Sequence, residues 1–144
     1  MKDKKERDWI APSFDETGMT QWGWRVSHRE NFKLGKHVEI GSFTMIDAHE
    51  GVTIEDNAMV GFGCVILSYS SIDNKTGRVV LRKGCKVGAN SVIMPGVEVG
   101  EGAVIGSNSF VSHNVPANEV WFGSPIRFHK QVVYQPDKDT GTNP

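Results

Sequence analysis

His49 and Glu50 stand side by side in the stretch Asp47-Ala48-His49-Glu50-Gly51. An imidazole titrates near neutral pH, so it can take a proton from an attacking hydroxyl or amine, and a neighbouring carboxylate can orient it. Asp73 is a second carboxylate for that orienting role. Tyr69, Ser71 and Asn74 surround it in the segment Leu67-Ser68-Tyr69-Ser70-Ser71-Ile72-Asp73-Asn74 and offer groups that could hold an acceptor. The competing readings are ordinary ones. A loop histidine is commonly a solvated side chain, and an Asp-Asn pair suits a turn. Tyr69 could equally stack on a sugar ring or on a second subunit. His28 and His37 are given no chemistry, and His113 and His129 are read as capping or surface groups.

These residues need elements that bring them together. Valine and isoleucine total 26 against three leucines, a balance that favours extended chain over helix. The 16 glycines are spread along the chain rather than clumped, which suggests many turns. No apolar run reaches the roughly 18 residues needed to span a bilayer. The charged opening MKDKKERD lacks the apolar core of a signal peptide, so a cytoplasmic location is expected. A net charge of -1 gives no basic surface for nucleic acid.

The organising feature is a period of six. Aliphatic residues recur at Leu34, Ile40 and Ile46. After a two-residue slip they recur at Ile54, Val60, Ile66 and Ile72. After a three-residue slip the series runs Leu81, Val87, Ile93, Val99, Ile105 and Val111. Small or β-branched residues sit two positions before most of them, and glycine often follows. A hexad of this kind is a short strand and a tight turn, and three of them close a triangular coil that stacks on the next at about 4.8 Å. The expected fold is all-β: a parallel solenoid over residues 31–128, with an N-terminal extension over 1–30 and a C-terminal tail over 129–144. The first eight and last ten residues are expected to be loose. Trp9, Trp22 and Trp24 are expected to cover the open first coil or a neighbouring subunit.

This counting gives three columns: Ile46, Ile66, Val87, Ile105; Leu34, Ile54, Ile72, Ile93, Val111; and Ile40, Val60, Leu81, Val99. It stacks Cys64 on Cys85 in a ladder with Thr44 and Ala103, and it lines Ser70 up with Ser91 and Ser109. Both cysteines are expected to be buried and reduced. It places His49, Glu50, Tyr69, Ser71, Asp73, Asn74, Gly88, Ala89, Gly106 and Ser107 along one edge. The small residues of the later coils would leave a groove for a long, thin ligand. The outward positions Met45, Val65, Val92, Val104 and Phe110 are apolar, which points to burial in a homotrimer.

The hexads, together with the segment GANSVIMPGVEVGEGAVIGSNSFVSHNVPANEVWFGSPIRF, resemble the left-handed parallel β-helix of the hexapeptide-repeat acyltransferase superfamily. The resemblance implies about four to five coils, a trimer, and acetyl-CoA as co-substrate, lying along an edge shared between subunits. Gly88, Ala89, Gly106 and Ser107 would line its path. The terminal motif of such enzymes corresponds to Gly123-Ser124-Pro125-Ile126-Arg127, with Arg127 keeping the charge that could meet a phosphate. The resemblance further implies acetylation of a hydroxyl or amino group of a sugar or nucleotide-sugar, as in surface polysaccharide biosynthesis. Many such enzymes carry a histidine base shortly after the aliphatic that corresponds to Ile66. Here Ser71 stands at that position, so His49 on the adjacent rung becomes the candidate base. The absence of the usual histidine also keeps a second reading open, a non-catalytic binding or scaffold subunit. No metal is expected, because no two histidines have the five-residue spacing of the γ-class carbonic anhydrases.

Overall fold

β-Branched residues at every sixth position pack inward, and the backbone turns sharply between them. The computed structural model describes residues 8–133, so all but Asp8 of the termini expected to be loose lie outside the described residues. The chain winds as a left-handed parallel β-helix of about five turns. Its first face stacks β1 (Arg25–Ser27), β4 (Met45–Asp47), β7 (Val65–Leu67), β12 (Val92–Ile93) and β15 (Phe110–Val111). The second stacks β2 (Phe32–Leu34), β5 (Val52–Ile54), β10 (Val79–Leu81) and β13 (Glu98–Val99). The third stacks β3 (Glu39–Ile40), β6 (Met59–Val60), β11 (Lys86–Val87), β14 (Val104–Ile105) and β16 (Glu119–Phe122). β17 (Arg127–Gln131) then folds back antiparallel on β16.

The first interruption of the period is the expected two-residue slip, but the second is larger. Fifteen positions separate Ile66 from Leu81, nine more than a hexad. The surplus leaves the prism as a small antiparallel hairpin of β8 (Tyr69–Ser70) and β9 (Lys75–Thr76). Ile72 sits at its tip, 97% exposed, and is not a core residue. The chain re-enters on the second face, so every later residue moves by one face from its expected column. The observed columns are Val26, Ile46, Ile66, Ile93, Val111; Leu34, Ile54, Leu81, Val99; and Ile40, Val60, Val87, Ile105, Trp121.

The small inward positions are re-sorted by the same correction. Cys64 lies in a ladder with Thr44, Ser91 and Ser109, while Cys85 lies in another with Ala58 and Ala103. The two cysteines are therefore not stacked on each other, and Ser70 belongs to the hairpin. The hydroxyl ladder has a physical purpose. Thr44 Oγ1 donates to Gly61 O at 2.9 Å, and Ser91 Oγ donates to Gly106 O at 3.2 Å. These bonds, with Ser109 Oγ donating to the same Gly106 carbonyl at 2.6 Å, satisfy carbonyls at the glycine corner from the inside of the prism.

The solenoid also begins earlier than residue 31. Arg25, Val26 and Ser27 pair in parallel with Met45, Ile46 and Asp47. The segment before them folds over the open end. Trp24 is buried, meets Phe14 edge-on with ring centroids 5.7 Å apart, and faces Phe32 at 6.3 Å. Trp9 Nε1 donates to Val38 O at 3.1 Å. Trp9 and Trp24 thus pack on the first coil of their own chain, while Trp22 is 41% exposed.

Both cysteines are free and buried. Burial pushes the Cys85 thiol up to about 12 and raises that of Cys64. A neutral, dry thiol is unreactive. We expect neither cysteine to react with a thiol reagent in the folded protein at neutral pH, and both to react in denaturant. Rapid labelling of the native protein would contradict the packing.

Candidate active site

The corner between the first and second faces carries His49. Three successive coils turn here: His28 to Asn31, Asp47 to Gly51, and Leu67 into the hairpin. The middle turn is held from both sides. Ser68 Oγ donates to Asp47 O at 2.8 Å and accepts from the Glu50 N–H at 2.8 Å. Asn31 Nδ2 donates to His49 O at 3.1 Å, and the His49 N–H reaches Asp47 Oδ1 at 3.1 Å. The imidazole itself lies 3.0 Å through Nδ1 from Glu50 Oε1. A carboxylate at Nδ1 favours the proton there and leaves Nε2 as the basic nitrogen. His49 and Glu50 are both about 44% exposed in their side chains, so the pair is open to a ligand.

His49 stands in a column of rings. The His28 ring lies 4.8 Å below it, edge-on, and the Tyr69 ring 5.0 Å above it. His28 also contacts Asp47, with Nδ1 3.3 Å from Oδ1, and Ser27 Oγ donates to the same oxygen at 3.0 Å. The structure therefore brings Tyr69 to His49 and Glu50, as expected, and adds His28, Asp47 and Ser68. His28 was assigned no chemistry from the sequence because the repeat was counted from Leu34. The missed signal is a 20-residue recurrence of Val26, Ile46 and Ile66, which puts His28 in the same turn as His49 one coil earlier.

Ser71, Asp73 and Asn74 occupy the exposed tip of the hairpin. The Ser70 hydroxyl, with help from the Lys75 backbone and charge, holds the Asp73 carboxyl below its ordinary range. Asp73 pairs with Lys75 at 3.6 Å, so its contacts are local to the hairpin and Glu50 is the carboxylate that meets His49. His113 packs on Trp121 and His129 on Phe122 at the far end.

Gly88, Ala89, Gly106 and Ser107 do come together, but on a different edge. They lie at the corner between the third and first faces, because the hairpin shifted the later coils by one face. There Gly41, Gly61, Gly88 and Gly106 follow one another coil by coil. A Cβ on Gly61 would lie 2.7 Å from Ala89 N, and one on Gly88 would strike Ser107 N, so backbone approaches backbone too closely for a side chain. Beside this corner runs a groove of about 660 Å³ that also touches Trp22, Phe62 and Lys86. Arg127 pairs with Phe122, which packs over Gly106, so the cation stands at the far end of the same edge. Among the described residues, no three His, Cys, Asp or Glu side chains converge to hold a metal ion. Among the described residues no helix is long and apolar enough to cross a membrane.

The Ser68 hydroxyl is the strut of the His49 turn. Ser68→Ala should cost about 1–3 kcal/mol, because it strands the Glu50 N–H, while the Asp47 carbonyl keeps the backbone N–H of residue 68. Denaturant unfolding measures this directly, and an unchanged midpoint would show that the turn stands without it.

Comparison with known proteins agrees with this architecture. The "Bacterial transferase hexapeptide (six repeats)" family matches residues 78–113, and the "Hexapeptide repeat of succinyl-transferase" family matches residues 33–68. YvoF of Bacillus subtilis (strain 168), which carries an acetyltransferase name, is 30% identical over 114 residues, covering 76% of this chain and 65% of its own length. The chain thus spans just under two thirds of that relative. A hexapeptide-repeat acetyltransferase of Vibrio cholerae, solved with acetyl-CoA, superimposes with a TM-score of 0.73 at 22% identity over 77% of this chain and 66% of that one. A mutant of AntD from Bacillus cereus, an N-acyltransferase solved with dTDP-4-amino-4,6-dideoxyglucose and coenzyme A, gives 0.59 at 26% identity over 78% of this chain and 72% of that one. The period, the three stacked faces and these matches lead to one conclusion: the chain belongs to the hexapeptide-repeat transferase superfamily.

Proposed function

We propose that the protein transfers an acyl group, most simply acetyl from acetyl-CoA, to a hydroxyl or amino group of a sugar or nucleotide-sugar. The observation that carries the reading is the His49–Glu50 pair at 3.0 Å on an open edge. Support comes from the acetyltransferase names among relatives and neighbours, and from the sugar nucleotide bound to AntD. A cytoplasmic location accords with the two unpaired thiols.

Acetyl-CoA supplies a thioester carbonyl that a nucleophile can attack. The residues of the chain do the rest. Glu50 fixes the His49 ring, and Nε2 takes the proton of the attacking group as the new bond forms. An edge amide can receive the developing oxyanion. The glycine edge fits the co-substrate, because Gly88, Ala89, Gly106 and Ser107 leave room beside the backbone, and Lys86 and Arg127 offer charge to phosphates. Tyr69 beside His49, with Ser71 and Asn74 on the hairpin above, would contact the acceptor. Asp73 would keep the hairpin tip ordered.

The base and the groove lie at opposite ends of the first-face strands. A homotrimer resolves this. Met45, Val65, Val92 and Phe110 form one continuous outward row on the first face, and Val104 falls on the third. Packing this row against a second copy would set the His49 edge of one subunit beside the glycine edge of the next. Phe62, 64% exposed, borders the same glycine edge. The scaffold alternative draws on Ser71, which leaves the family's usual position without a base.

Two measurements test the reading. His49→Ala should lower turnover by about 10²–10⁴ while coenzyme A affinity, followed by calorimetry, changes little. Near wild-type turnover would remove His49 as the base, and a wild-type protein that does not bind acetyl-CoA would favour the scaffold. Sedimentation should show a trimer, and Val65→Glu with Val92→Glu should yield monomers without activity. A wild-type monomer at micromolar concentration would leave no shared site.

A further inference from the structure

We propose that the acceptor is a protonated primary amine, and that His28 with Asp47 is the second proton acceptor its acylation requires. This rests on the acyl-transfer reading above and narrows its acceptor to one chemical class.

The edge holds two imidazole–carboxylate pairs in contact. His28 Nδ1 lies 3.3 Å from Asp47 Oδ1, His49 Nδ1 lies 3.0 Å from Glu50 Oε1, and the ring centroids are 4.8 Å apart. Both rings turn Nδ1 to a carboxylate, which leaves two Nε2 atoms as basic nitrogens on neighbouring rungs. Acylating a hydroxyl needs only one of them. The O–H proton leaves as the C–O bond forms, the C–S bond breaks with its electron pair on sulfur, and the same proton ends on the thiolate. No net proton appears.

An ammonium has more protons to lose. One must depart before nitrogen has a lone pair to attack the carbonyl. A second departs once the C–N bond has formed and the C–S bond breaks. The thiolate takes one proton and the other goes to solvent: R–NH3⁺ plus the thioester gives the amide, the thiol and H⁺. Two adjacent bases match two departures.

The charges facing the pair favour the same acceptor. Asp47 comes from the end of β4 and Glu50 from the turn after it, while Asp73 in the hairpin is paired with Lys75. The neighbouring cations are directed elsewhere. Arg29 lies over the Phe14 ring at 4.2 Å, Arg78 donates to Thr53 Oγ1 at 2.9 Å, and Lys75 pairs with Asp73. The edge is therefore shaped by carboxylates, which attract an ammonium.

The test uses the full chain, acetyl-CoA, and methyl glycosides of amino hexoses bearing the amine at each ring position, beside their hydroxyl parents. At least one amine should turn over about a hundredfold faster than its parent, with one proton released per coenzyme A thiol formed. A hydroxyl parent acylated as fast as its amine overturns the proposal. So does a protein that binds acetyl-CoA in calorimetry yet turns over no amine in the panel. Failure to bind acetyl-CoA at all sinks the acyl-transfer reading instead.

The role of His28 is read from a pH profile. Its backbone is left-handed, φ 57°, which asparagine tolerates well, so His28→Asn is the first variant and His28→Gln the second. Near pH 7 either should lose about 10- to 100-fold in kcat/KM for the amine, and the loss should close as pH rises and the acceptor arrives neutral. A loss of equal size at every pH would mark a structural residue and overturn the assignment.

Discussion

Everything in this molecule depends on the in-register parallel pairing of one coil with the next. Ile46, Ile66, Ile93 and Val111 pair rung by rung, and each is essentially fully buried. The inward stack supplies the hydrophobic stabilisation, roughly 1.5–3 kcal/mol for each fully buried aliphatic. The rung spacing is set by backbone hydrogen bonds and cannot vary much. Whatever stands at a corner is therefore repeated at the same spacing along the edge. The rings of His28, His49 and Tyr69 lie 4.8 and 5.0 Å apart because they occupy one corner of three consecutive coils. The sites inherit their geometry from the pairing.

That constraint also decides how the chain accommodates extra residues. A lengthened turn is tolerated if the strands on either side keep their partners. The turns after β1 and β4 carry the same two-residue excess, so Leu34 and Ile54 still pair. The nine-residue excess after Ile66 is too long for a corner. It closes on itself as the antiparallel pairs Tyr69–Thr76 and Ser70–Lys75, and Val79 to Leu81 still pair with Val52 to Ile54. The hairpin and the lengthened turns fall on one edge, and that edge holds both imidazole–carboxylate pairs.

The same physics explains what could be read without coordinates. The fold was legible because every inward rung needs an aliphatic, and a period of six survives in the residue types. The column assignment failed at a single residue. Ile72 lies one hexad after Ile66 and looks like the next rung, but only pairing partners distinguish an inward isoleucine from one at a hairpin tip. Every later residue then moved by one face. Gly88, Ala89, Gly106 and Ser107 were grouped correctly because they share a shift, and they were set on the wrong edge for the same reason. His49 and Glu50 draw notice in the sequence because the excess residues at that turn stand out against the period. The nearness of His28 to them is not legible there, because its coil begins with Val26, before the counted repeat.

The separation of the two edges constrains function more than either edge does alone. In one chain the His49 edge and the glycine edge are held apart by the first-face strands, whose paired backbone and filled interior leave no hinge. No motion within the prism can bring a groove-bound thioester to His49. In the proposed trimer the two edges meet where a second first face turns its opposite edge toward this one. The apolar row Met45, Val65, Val92 and Phe110 is the surface on which that approach would occur, flanked on one side by carboxylates and histidines and on the other by glycines and cations. An enzyme of this design need not move to complete its site. In the proposed trimer, assembly would do it once, and the rung spacing would then hold the proposed base, acceptor and co-substrate in register.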